Sequence, residues 1–88
     1  MALHRFWFKF ASLEPNSSLW LGCGVTAYDY DDAISILQDT VFADLEFPKI
    51  ETIVEDVDVY LLDQKHVIPN MEPPIWRGVW FPRGYGRL

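Results

Sequence analysis

Few groups in this sequence could do covalent or metal chemistry, and they are scattered: Cys23 within Gly-Cys-Gly, His4 and His66, and the carboxylates of the stretch EDVDVYLLD, residues 55–63. A nucleophilic thiol needs a nearby cation or a helix N-terminus to lower its pKa, and a base to take its proton. The alternation around Cys23 places it on the apolar face of a strand, which reads as structural. The same Gly-Cys-Gly could be taken for a phosphate-cradling loop ahead of a helix. Gly24, however, falls five residues before the predicted cap Asp29, and Asp29, Asp31 and Asp32 would repel an anion there.

The acidic stretch lacks the central glycine and the terminal bidentate glutamate of a calcium loop. Asp56 and Asp58 on one strand face would hold a divalent cation weakly at best, and a solvated acidic face is the expectation. Two histidines and one cysteine cannot build a closed structural zinc site without several carboxylates, and no zinc-type spacing appears. Nothing in the spacing joins Cys23, His66 and Asp63 into a catalytic set. No catalytic residue, metal or cofactor is therefore predicted. The alternative kept open is a small enzyme or ligand-binding domain using Cys23 or a site formed on dimerisation.

The elements that must position these groups follow from periodicity. In an 88-residue chain that is 50% hydrophobic and 16% aromatic, one compact domain spanning 1–88 is expected, with about 82–88 as a mobile glycine-rich tail. No apolar run approaches the ~20 residues that span a bilayer. Lys9 interrupts the first apolar run, so the opening residues do not read as a secretory leader. A lone cysteine fits a reducing compartment, and a cytoplasmic location is the default.

His4 to Phe10 alternates strictly, with Phe6, Phe8 and Phe10 on one face and Arg5, Trp7 and Lys9 on the other. Residues 12–18 carry turn chemistry. Leu19 to Tyr28 alternates again, placing Leu19, Leu21, Cys23, Val25 and Ala27 opposite Trp20, Gly22, Gly24, Thr26 and Tyr28. If both apolar rows point to one core, paired residues must sum to an odd number. A sum of 29 lays Trp7 across Gly22; sums of 27 and 31 satisfy the same parity. The period then shifts to about 3.6, predicting a helix from Tyr30 to Phe42 capped by Asp29. Ile50 to Leu62 reads as a third strand, bulged near Glu55–Asp56, with Ile53, Val57, Val59 and Leu61 inward. A loop with three prolines leads to a short edge strand, Ile75 to Phe81. On it, Trp76, Gly78 and Trp80 share one face, and Ile75, Arg77, Val79 and Phe81 the other.

The fold class is thus α+β: a mostly antiparallel four-stranded sheet in β-β-α-β-β order with one helix on one face. The other face would display Arg5, Trp7, Lys9, Trp20 and Tyr28, unless the loop after Leu62 or the fourth strand folds back over them. Exposed aromatic and cationic clusters of this kind mark contact surfaces.

Charge is divided unevenly. Eleven acids against Lys49 fall within residues 29–63, while the chain as a whole carries −6. Binding to nucleic acid through phosphate neutralisation is disfavoured, and a basic partner would be attracted. The expectation is a small acidic, non-catalytic interaction module with no nucleic-acid or membrane partner. It would be of the inhibitor or immunity type, binding a basic protein through the aromatic face (Arg5, Trp7, Lys9, Trp20, Tyr28) and the acidic residues Asp29, Asp31, Asp32, Glu55, Asp56 and Asp58. Self-association as a homodimer is the other way to satisfy the aromatic face.

Overall fold

A computed structural model describes residues 2–11 and 18–85. Strand β1 runs His4–Phe10, β2 Cys23–Ala27, β3 Ile50–Glu55 and β4 Gly78–Phe81, with helix α1 at Tyr30–Asp39. The strands form one open sheet in the order β3-β1-β2-β4, and every neighbouring pair is antiparallel. This is the α+β arrangement that the periodicity predicts. The turn expected at 12–18 falls almost wholly outside the described residues, as does the end of the tail, 86–88.

The inward phenylalanines do what their spacing requires. Phe6, Phe8 and Phe10 line the core beneath α1, with Cys23 and Val25 of β2 beside them. The helix buries Ala33, Ile36 and Leu37 against this layer. Its N-terminus is capped by Asp29, whose carboxylate accepts from the Asp32 N–H at 2.8 Å. It ends at Asp39 rather than Phe42. The Thr40 hydroxyl donates back to the Ile36 carbonyl at 2.6 Å, and the Phe42 N–H reaches the Leu37 carbonyl at 2.9 Å. Hydroxyl back-bonding of this kind competes with the helical ladder. Val41 and Phe42 are buried all the same, in the turn that follows.

Three departures from the predicted strands matter for the site. First, β2 begins at Cys23, because Ser18–Leu21 forms a 3-10 turn closed by the Gly22 N–H on the Leu19 carbonyl at 3.0 Å. Gly22 has φ +124, which glycine alone adopts without strain. Trp20 therefore leaves the sheet, and Leu19 and Leu21 pack against different layers. Second, the β1–β2 register is the sum of 31, pairing Trp7 with Gly24 and Phe8 with Cys23. Third, β3 stops at Glu55. Asp56 takes φ +55 and the chain leaves the sheet, with the Val57 N–H donating to the Arg5 carbonyl at 3.1 Å. Val59–Leu61 is then a 3-10 turn, and Leu61 is 83% exposed rather than inward. Ile53 also faces solvent in part, because β3 is an outermost strand and α1 packs over β2 and β4.

The sheet has no bare aromatic face. The chain after β3 folds back over the side opposite the helix, where Val57 and Val67 seal Trp7, Trp80 and Phe81 into a second core layer. Phe81 joins this layer instead of following Val79, because the β2–β4 register shifts between Gly24 and Val25. The Thr26 hydroxyl donates to the Pro74 carbonyl at 2.5 Å and fastens the proline segment to the sheet. Trp76 and Trp80, placed on one face by alternation, part company: Trp80 is fully buried, whereas Trp76 precedes β4 and is exposed.

Candidate functional site

The five residues expected to share an open face do not form one surface. Trp7 is only 9% exposed and packs on Trp80 and Phe81, with ring centroids 5.8 and 5.7 Å away. Its indole also lies against Gly22, where an added Cβ would come within 2.8 Å of Cζ2. Trp7 thus fills a gap within its own fold and is removed from the docking surface. Arg5 is exposed, but its Nε donates to the Val57 carbonyl at 3.2 Å and helps hold the covering chain in place. Lys9 is exposed near Glu51, at 3.9 Å. Trp20, 48% exposed, sits on the 3-10 turn ahead of β2.

Tyr28 belongs to a different cluster. The Arg77 guanidinium lies 5.5 Å above its ring and forms a two-pronged ion pair with Asp32, Nε donating to Oδ2 at 2.9 Å and Nη2 to Oδ1. Asp32 Oδ2 also accepts from the Tyr28 N–H at 3.0 Å. Through Arg77 the first turn of α1 is tied to the entrance of β4. The Arg77 hydrogen bond is the main cause that holds the Asp32 carboxyl below the ordinary aspartate range, assisted by the Tyr28 N–H. The guanidinium is correspondingly raised.

A depressed folded-state pKa adds stability at every pH above the unfolded value of about 4 and loses it as pH falls through the lowered value. The wild type is therefore expected to hold a constant stability margin over Asp32→Asn from neutral pH to about pH 5, narrowing below about pH 4. Urea titrations at a series of pH values measure it; a margin unchanged at pH 2–3 would show that the pair adds nothing through charge.

The acidic residues divide among three places. Asp29, Asp31 and Asp32 occupy the start of α1, where negative charge complements the helix dipole. Glu55 and Asp56 stand at the end of β3 beside His4. Asp58 caps the Val59–Leu61 turn by accepting the Tyr60 N–H at 3.0 Å. Further along, Asp63 Oδ1 accepts the His66 and Lys65 N–H groups, each at 2.8 Å, and these bonds lower its pKa. Tyr60 and Leu61, 79% and 83% exposed, thus sit on the Asp58-capped turn just ahead of the Asp63-capped one, in a stretch carrying Asp56, Asp58 and Asp63. Alternation predicts Tyr60 outward. It misses Leu61, whose exposure depends on Asp58 being a cap and not a strand residue.

The candidate for nucleophilic chemistry is closed. Cys23 is fully buried beneath the helix, and desolvation pushes its pKa up to about 12. His66 lies instead on the exposed loop, its Nδ1 3.2 Å from Asp63 Oδ1. A groove of about 330 Å³ opens beside that loop, lined by Leu21, His66, Asn70, Phe81, Pro82 and Arg83. No helix among the described residues is long and apolar enough to cross a membrane. A scan against protein-family models finds no match to this chain, and searches of curated proteins and of solved structures likewise find none.

Proposed function

We propose that this protein is a non-catalytic interaction module that docks a basic protein on the Asp56–Asp63 segment. The observation that carries this reading is the pair Tyr60 and Leu61, the two most exposed large hydrophobic residues described, presented on a turn whose neighbours are Asp56, Asp58 and Asp63. An exposed aromatic and an aliphatic side chain give a partner something to desolvate, while the surrounding carboxylates select a basic surface and speed encounter. Eleven of the thirteen acids fall within residues 29–63, which supports the same choice of partner. The docking surface is thus moved from the sheet face, where Trp7 is covered, to the covering segment itself. Burial of Cys23 weighs against the enzymatic alternative.

The experiment compares capture from a cell lysate on the wild type and on Tyr60→Ala/Leu61→Ala, followed by titration of the enriched protein with purified components. A basic partner is expected, bound at least tenfold more weakly by the double variant, with an association rate that falls steeply as salt rises. Because both side chains are exposed, the variant is expected to melt with the wild type. Equal capture on both matrices, or an association rate indifferent to salt, would overturn the proposal.

The outer edge of β3, beside which no strand lies among the described residues, supports self-association as a second reading, since Ile53 and Val54 are exposed there. Light scattering on the same preparation decides between them: a monomer retains the first reading, and a dimer favours the second.

A further inference from the structure

We infer that His4, Glu55 and Asp56 form a binding site for a divalent transition-metal ion. The sheet assembles the three side chains. Antiparallel pairing sets Phe6 of β1 opposite Glu55 of β3, so His4, two residues from Phe6, shares a face with Glu55 diagonally across the ladder. Strict alternation would send Asp56 to the opposite face. Its φ of +55 turns the chain and brings Asp56 Oδ1 to 2.9 Å from His4 Nδ1, while Glu55 Oε1 stands 3.9 Å from the same nitrogen. The three donor atoms all lie within 4.8 Å of one another. The Phe6 ring meets the imidazole edge to face at 6.4 Å between centroids and steadies its orientation.

Zinc binds imidazole nitrogen and carboxylate oxygen at about 2.0–2.2 Å, so two donors on one ion lie roughly 3–4 Å apart. Both distances from His4 fall within or close to that span, and rotation of an exposed carboxylate closes the third. One neutral imidazole with two carboxylates suits zinc, cobalt or manganese; calcium and magnesium prefer all-oxygen shells with more ligands. With three protein donors on a partly exposed surface, the remaining coordination positions open to solvent, as in sites that exchange their outer ligands. The site shares Asp56 with the proposed docking segment, but its readout, metal binding alone, is separate from the partner reading.

The test titrates the full chain with Zn²⁺ by calorimetry and with Co²⁺ by visible absorption, using Mg²⁺ and Ca²⁺ as comparison ions. One equivalent of Zn²⁺ or Co²⁺ is expected to bind, with affinity reduced at least tenfold in His4→Gln and in Asp56→Gly. Glycine accepts the positive φ at position 56, so Asp56→Gly keeps the turn, and an unchanged melting curve confirms that the lost affinity is not lost folding. His66→Gln is expected to bind as the wild type does. Absence of binding by the wild type, equal binding by all variants, or a loss confined to His66→Gln would each overturn the site.

Discussion

Replacing Trp80 with alanine is expected to lower folding stability by about 3–5 kcal/mol, the range for deleting a large aromatic from a packed interior. For a domain of ordinary stability, about 5–15 kcal/mol, that is a large share of the total. Trp80 is the largest fully buried side chain described, and it ties Trp7 to β2. Gly24 lies directly beneath it: a Cβ there would run into Cη2, Cζ3 and Cε3 of the indole. The backbone of Gly24 is not left-handed, so the indole alone excludes a side chain. Gly24→Ala is therefore expected to cost about 1–3 kcal/mol through overpacking.

In a Trp80→Ala background the sign should invert. The space is then free, and alanine is favoured over glycine in a strand interior by about 0.5–1 kcal/mol. Urea denaturation of the four proteins in this double-mutant cycle measures the coupling directly. Additive costs would place the indole away from Gly24 and refute the packing described for this layer.

Cys23 is expected to react with a thiol reagent at neutral pH far more slowly than an unperturbed thiol, because burial raises its pKa from 9.0 to about 12 and so leaves about a thousandfold less thiolate. Steric burial slows the reaction further, so modification should await local or global opening. The rate should rise through the urea transition to that of a free thiol. Rapid labelling of the folded protein would instead put the thiol within reach of solvent and revive a catalytic role for it.

Much of the fold is readable from the residues, and the failures have specific causes. Alternation in β1 and the change of period at Asp29 give the element order, because each reflects burial on one side of a single element. Parity does not choose among registers two residues apart. That choice follows from the 3-10 turn and the positive φ of Gly22, which shorten β2. The third strand is overextended because Val57, Val59 and Leu61 continue the apolar, alternating pattern past Asp56, where the backbone turns away.

The site suffered most from this. The loop after Leu62 and the fourth strand are foreseen as possible covers and do supply Val67, Trp80 and Phe81, but once Val57 is read as part of a strand, its share in the cover over Trp7 is missed. Tyr60 and Leu61 then lose their place on an exposed turn. The grouping of His4 with Glu55 and Asp56 is invisible in sequence for a different reason: it joins residues some fifty positions apart, and only the adjacency of β1 and β3 brings them together.

The two-layered packing of the sheet has a spectroscopic corollary. Phenylalanines fill the helix side, while both buried indoles lie on the other. Near-ultraviolet dichroism from those indoles therefore reports the tightening of the loop layer, and the far-ultraviolet helical band reports the opposite layer. The molecule carries, in its own chromophores, a separate gauge for each side of the sheet.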